Sequence, residues 1–270
     1  MIIIGEKING SIDEVGDAIV RRDNGFLAGL ASSQAEAGAD YIDVNVGTGS
    51  GASELESMEW AVEVVKEATG KPLALDSSDP EVLERCLELY GREGLFINSV
   101  NGERARLEGV LPLVARHGCR VVALAMDESG IPETPAGRLE VCRGILGAAR
   151  EFGVPEESVF LDPLALPISA DSGQGRVTLE ALSLIRDEFP EVKTVLGLSN
   201  VSFGLPMRSL VNRSMLAAAV FMGLDALLMD PMDRELVSTI YAAEAVAGSD
   251  RYCRGYVKAF RNGLLSRGSR

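Results

Sequence analysis

Apolar residues in this chain gather into eight short unbroken runs, and four of them finish in the polar endings LALDSS, LFINSV, VFLDPL and VLGLSN. The runs cover residues 2–7, 41–46, 72–77, 95–100, 120–126, 158–163, 193–199 and 226–231. They are continuous rather than alternating, the pattern of strands covered on both faces, as in a parallel sheet. Segments of helical period lie between them. Over 138–152, Leu139, Cys142, Ile145, Leu146, Ala149 and Phe152 recur on one face, which makes that stripe core. The punctuation agrees: Asp79-Pro80 opens a helix with proline at its first position, and Gly91 follows the last periodic residue as a stop. Eight strand–helix units in about 250 residues have the rhythm of a (β/α)8 TIM barrel, and no linker or low-complexity stretch divides the chain. The expectation is one α/β barrel domain over 1–270, closed by a C-terminal helix within 249–270.

An apolar strand has no packing reason to end in a carboxylate or an amide, since desolvating such a group unpaired costs roughly 2 to 7 kcal/mol. In a parallel barrel those ends share one mouth, where barrel enzymes carry their chemistry. The rule collects Glu6, Lys7, Asn9, Asp43, Asn45, Asp76, Ser77, Asn98, Met126, Asp127, Asp162, Ser199, Asn200 and Asp230 on the active side. The single histidine, His117, falls between a helix and the fifth run, on the opposite face. The usual general base and metal ligand are thereby removed from the mechanism. For each polar ending the competing reading is local: Asp76 orienting the Asp79-Pro80 turn, Asn98 capping a helix, Asp162 terminating a strand, Asn200 closing a turn. Their joint occurrence at one end favours a site.

Composition narrows the partners. A formal net charge of -14 with no basic stripe argues against a nucleic-acid binder. No stretch approaches the roughly 20 apolar residues needed to cross a bilayer, and the MIIIGEKING start has no basic region before its apolar run. A cytoplasmic protein without membrane contact is expected. Cys86, Cys119, Cys142 and Cys253 form no metal-ligand pair and read as buried free thiols. An oxygen-ligated Mg²⁺ is the one metal that the acidic mouth would suit, and no tightly bound metal is expected. The stretch Gly47-Thr48-Gly49-Ser50-Gly51-Ala52 fits a relaxed GxGxxA pattern, but its helix starts too late, around Glu54, for a dinucleotide fingerprint. It reads as a loop over the mouth. Lys7 has the placement of a Schiff-base lysine, and an ion pair with neighbouring Glu6 is the favoured reading.

IGEKING, DVNVG, LDSS, INS, the DPL of VFLDPL, and GLSNVS followed by NRSMLAAA resemble, in order along nearly the whole chain, the methyltetrahydrofolate:corrinoid protein methyltransferases. That resemblance implies a pterin-binding barrel. It would move the N5 methyl of methyltetrahydrofolate to the cobalt of a cobalamin carried by a separate corrinoid protein, or run the transfer in reverse, and it would be a homodimer. By the same resemblance Asp76, Asn98 and Asp162 hold the pterin ring, Asn200 hydrogen-bonds N5, and Arg208 lies near the rest of the folate; Asp43, Asn45 and Ser199 complete the expected site. The chemistry fits, because a pterin offers an exocyclic amine and a ring N–H side by side, which a carboxylate accepts bidentately, and an amide serves a mixed edge. The methyl acceptor belongs to the partner, so the chain needs no nucleophile of its own. Two alternatives stay open: a pteridine enzyme like dihydropteroate synthase, and a non-catalytic folate-binding subunit.

Overall fold

The computed structural model describes residues 1–48, 53–91 and 94–266. Eight parallel strands close into a barrel in sequence order. They are β1 (Ile2–Asn9), β2 (Tyr41–Asn45), β3 (Leu73–Asp76), β4 (Phe96–Asn101), β5 (Arg120–Leu124), β6 (Val159–Asp162), β7 (Lys193–Gly197) and β8 (Ala226–Met229), each inside its expected run or within two residues of it. Closure is made by β1 on β8, with Ile4 opposite Leu228 and Gly5 opposite Met229. The helices around them are α1 (Asp13–Val20), α2 (Asn24–Glu36), α3 (Glu54–Thr69), α4 (Pro80–Tyr90), α5 (Arg104–His117), α6 (Pro135–Glu151), α7 (Gln174–Glu188), α8 (Arg208–Phe221), α9 (Arg234–Val246) and α10 (Arg254–Arg261). A 3₁₀ turn, Leu198–Ser202, follows β7 directly.

Local chemistry sets these boundaries. Asp79 caps α4 by accepting from the Glu81 N–H, Pro80 occupies the first turn, and Gly91 ends the helix in the left-handed region at φ 61°. Ser53 caps α3 in the same manner, so that helix begins at Glu54. The α6 stripe is buried as the period predicts, with Phe152 packed at its edge. The period does not predict one buried member: Arg138 is fully enclosed and donates to the carbonyls of Pro132, Pro163 and Leu164, to Thr178 and to Gln174. It braces the backbone that follows β6.

Each strand contributes one inward residue to a single cluster: Ile4, Tyr41, Ala74, Phe96, Val122, Phe160, Val195 and Ala226. Tyr41, Phe96 and Phe160 stack edge to face at 4.8 and 4.7 Å between ring centroids. The Arg120 guanidinium lies 5.8 Å from two of these rings and donates to the Tyr41 hydroxyl. This plug closes the barrel below, while the outward positions, such as Ile42, Leu73, Ile97, Val121 and Leu161, pack under the helices. Burial on both faces is why the runs are unbroken.

Three cysteines, Cys86, Cys119 and Cys142, are buried free thiols, pushed by burial up to about 12, 11 and 12. Cys253 departs from expectation: it is exposed, because it sits in the turn that enters α10, outside the barrel. Among the described residues no helix is long and apolar enough to cross a membrane. From Gly49 to Ala52 the loop expected over the mouth lies outside the described residues, as do the last four residues of the chain.

Candidate functional site

Side chains of a strand alternate between its faces, so the inward position above each plug residue is two residues further on. That step leads to Glu6, Asp43, Asp76, Asn98, Leu124, Asp162, Gly197 and Leu228. Five of the eight are polar. The strand register sets them side by side, Asn45 against Asp76, Asp76 against Asn98, and Leu124 against Asp162. Above this layer opens a cavity of about 640 Å³ whose lining includes Glu6, Lys7, Asp43, Asp76, Gly197, Ser199, Asn200, Arg208 and Asp230. Asn45, Asn98 and Asp162 stand next to that lining without being part of it.

Asn45 donates to Asp76 at 2.8 Å, and Asn98 donates to Asp43 at 3.1 Å. Neither Asp76 nor Asn98 is engaged in a helix cap: Asp79 caps α4, and α5 begins beyond the end of β4 without a side-chain cap. Asp162 does accept the Leu164 N–H at 2.7 Å, a local turn bond of the kind a strand terminator makes, and also the Gly197 N–H at 3.3 Å from the neighbouring strand β7. Gly197 stands between two of these groups: a Cβ there would be in ordinary van der Waals contact with the Asn200 amide nitrogen at 3.5 Å and with the Asp162 carboxylate at 3.9 Å. Asn200 itself is exposed to the cavity, and among the described residues its side-chain amide has no hydrogen-bond partner. Arg208, at the start of α8, reaches back to Ser202 at 3.0 Å and to the Ser199 carbonyl at 2.7 Å, so the 3₁₀ turn is held from its C-terminal side.

The electrostatics are those of a polar layer kept from water. Asp43, only 2% exposed, has its carboxyl held well above the usual range by burial and by the nearby charge of Asp76. Asp76 is raised by burial against the opposing bond from Asn45 and the charge of Arg106, a residue that sequence reasoning does not single out. Asp162, 5% exposed, is raised by burial to about 6. Glu6 is raised by burial to about 7, with Ser199 donating to it at 3.3 Å as the main opposing effect.

Two expectations are corrected. Lys7 does not pair with Glu6; its ammonium meets Asp230 at 3.4 Å. The cause is the closure of β1 on β8, which sets the end of β8 beside Lys7, together with an irregular register of β1 on β2 between Gly5 and Ile8 that breaks strict alternation. Met126 and Asp127 do not join the cavity: β5 ends at Leu124, and Asp127 accepts from the Ser129 N–H and hydroxyl in an exposed turn, bonds that lower its pKa. His117 is the last residue of α5, just before β5, at the plug end of the barrel. Among the described residues no three His, Cys, Asp or Glu side chains stand in an arrangement that would hold a metal ion.

The chain is 39% identical over 267 residues, 98% of each sequence, to the methylcorrinoid:tetrahydrofolate methyltransferase of Eubacterium limosum. It is 30% identical over 252 residues to the methionine synthase of Mycobacterium tuberculosis (strain ATCC 25618 / H37Rv), a match spanning 87% of this chain and 21% of that longer protein. In fold it resembles the dihydropteroate synthase of Coxiella burnetii, whose structure holds pteroic acid, with a TM-score of 0.67 over 92% of this chain and 94% of that one at 15% identity. Residues 6–249 match the family described as pterin binding enzymes, and the chain belongs to that family.

Proposed function

We propose that the protein is a methyltransferase that moves a methyl group between N5 of tetrahydrofolate and the cobalt of a corrinoid held by a partner protein, within one pterin-binding barrel that comprises residues 1–270. The observation that carries this reading is the likeness to the Eubacterium limosum enzyme along the whole chain, at 39% identity. The acidic, water-poor layer at the mouth supports it. Asp76 and Asp162 accept the amine and ring N–H groups of the pterin, Asn98 serves a mixed edge, and Asp43 and Asn45 hold Asn98 and Asp76 in place through the bonds described above. Ser199 and Arg208 line the way to the rest of the folate. In the name of that relative the methyl travels from methylcorrinoid to tetrahydrofolate, and we assign the same direction here.

Methyl transfer at N5 is hard because the nitrogen gains or surrenders an electron pair as the C–N bond breaks or forms. Asn200 offers that nitrogen a hydrogen bond which strengthens at the transition state, the only kind of contact that raises kcat. A cytoplasmic location and a homodimer complete the proposal. The dimer is supported by the face between α8 and α9, where Phe221 and Val246 are 70% and 83% exposed; a 28.7 kDa species in light scattering at micromolar concentration would contradict it.

Methyl exchange between methyltetrahydrofolate and free cob(I)alamin tests the activity. Turnover is expected, whereas tight folate binding without turnover would identify a binding subunit instead. Calorimetry with tetrahydrofolate tests the ring contacts. Asp76→Ala and Asp162→Ala each leave pterin donors unpaired and should weaken binding by about 1 to 3 kcal/mol. Wild-type affinity in both would sink the assignment.

A further inference from the structure

The transfer leaves one requirement unassigned. When the methyl carbon departs to the acceptor, the C–N5 bond breaks, its electron pair stays on N5, and the nitrogen needs a proton to become the N–H of tetrahydrofolate. In the opposite direction N5 attacks the methyl carbon and the same proton must leave. An amide cannot supply it, since Asn200 does not titrate near neutral pH. We propose that Glu6 gives this proton to N5 and takes it back when the methyl group arrives, with the Ser199 hydroxyl as its contact to the Asn200 turn. The inference rests on the methyl-transfer reading above.

The geometry carries it. Glu6 belongs to the same inward layer as Asp43, Asp76, Asn98 and Asp162, and it lines the cavity together with Asn200. Its carboxylate accepts from Ser199, the residue next to Asn200, at 3.3 Å. Every other acidic group of the layer already holds a shorter contact: Asp76 has Asn45 at 2.8 Å, Asp43 has Asn98 at 3.1 Å, and Asp162 has the Leu164 N–H at 2.7 Å. Asp230, beyond the layer, is committed to Lys7. Glu6 alone is tied by a long bond to a hydroxyl that is free to rotate and that both donates and accepts.

The charge state agrees with the geometry. A group exchanges protons best when its pKa lies near the working pH, and burial raises Glu6 to about 7. Asp43 is raised well above the usual range by burial and the nearby charge of Asp76, and it already accepts from Asn98. The groups that face Glu6 come from every side: Ser199 from the 3₁₀ turn, Asp230 from the end of β8, Lys7 from its own strand, Arg208 from α8, and Asp43 from β2. Ser199, Lys7 and Arg208 favour the carboxylate, while Asp230 and burial favour the acid.

Steady-state transfer to free cob(I)alamin, and in the reverse direction from free methylcobalamin, between pH 5.5 and 8.5 on the intact protein tests the proposal. In the wild type the rate from methyltetrahydrofolate should fall as pH rises through about 7, and the rate of methylating tetrahydrofolate should rise over the same range. Absence of any transfer in the wild type would refute the parent reading rather than this one. Glu6→Gln keeps the shape and removes the proton; it should lower kcat by about 10² to 10³-fold in both directions, flatten both profiles, and leave the Kd for tetrahydrofolate within about threefold. Two further variants tune the group without removing it, and they remain decisive should Glu6→Gln fail to fold. Ser199→Ala deletes a bond to the carboxylate and should move the midpoint up; Asp230→Asn deletes a repelling charge and should move it down. A Glu6→Gln variant with the wild-type profile and kcat within about threefold, or midpoints that stay fixed in both tuning variants, would overturn the proposal.

Discussion

The two ends of this barrel use the same acidic residue types in opposite ways. At the plug end Asp225 accepts from the Thr194 N–H at 3.0 Å and its hydroxyl at 3.2 Å, and it meets Arg186 and Lys193, both at 3.3 Å. Asp40 accepts the Ile3 N–H at 2.9 Å. These carboxylates are finished by the protein itself and serve to hold strands and helices in place. At the mouth Asp43 and Asp162 are buried and Glu6 and Asp76 half-buried, with partners that do not neutralise them, and desolvation raises all four. An unneutralised buried carboxylate is a cost the fold carries in the absence of a ligand. The difference teaches where to look for chemistry: not at acidic residues as such, but at those whose surroundings leave work for a partner molecule.

The sharpest way to break this contrast is through Asn200, whose amide stands beside Asp162 at the mouth and is free of protein partners among the described residues. Asn200→Ala should lower methyl transfer to cob(I)alamin by about 10² to 10³-fold, with a much smaller change in the affinity for unmethylated tetrahydrofolate. Equal losses in binding and in rate would mean that Asn200 only holds the ring. An unchanged rate would remove it from the site.

A second effect reads the contrast as stability. Asp162 is raised from 3.8 to about 6 and Glu6 from 4.5 to about 7. The folded protein therefore holds protons that the unfolded chain has released between those values. The stability that these two groups contribute is full below the ordinary carboxylate range and is lost as pH rises through 6 to 7. Carboxylates lowered by their bonds, such as Asp127, Asp171 and Asp250, titrate below the ordinary range and do not disturb this window. Urea unfolding of the ligand-free protein should show stability falling from pH 5 to pH 8, by on the order of 1 to 2 kcal/mol for Asp162 alone. Asp225→Ala, at the other end, should cost about 1 to 3 kcal/mol at every pH in this range, because it orphans the Thr194 N–H, and should leave folate binding untouched. Stability that rises from pH 5 to pH 8 would show that the mouth carboxylates are satisfied after all.

Much of this contrast is legible in the amino-acid sequence itself. The continuous runs and their polar endings place Asp43, Asp76, Asn98, Asp162 and Asn200 at one mouth because strand direction and alternation are local properties, carried by a few consecutive residues. What is not legible depends on residues far apart in sequence. Lys7 takes Asp230 because the barrel closes β1 on β8, a pairing that no local pattern announces. Arg138 sits one residue before the Leu139 stripe and would pass for a solvated edge, yet the loop after β6 folds over it and supplies its acceptors. Glu6 can be put at the mouth from its run, but its charge state comes from the walls that other strands build around it.

The smallest expected effect is also the most exacting check, because it concerns the one residue that convention would blame for any pH dependence near neutrality. His117 closes α5 at the plug end of the barrel, and its Nε2 is buried with no hydrogen-bond partner among the described residues. Its imidazole lies on the far side of the aromatic plug from the cavity, so it has no path to a substrate proton. His117→Asn should leave the pH profile of methyl transfer in place in both directions, and it should change stability by no more than about 1 kcal/mol, the scale of a helix-end interaction. The outcome discriminates because Glu6 and a histidine would titrate in the same pH range, and a profile alone cannot tell them apart. A midpoint that survives His117→Asn but moves with Ser199→Ala and Asp230→Asn belongs to the mouth. If His117→Asn abolishes activity in a protein shown to be folded, the plug end is the working face, and the contrast between the two ends has been drawn the wrong way round.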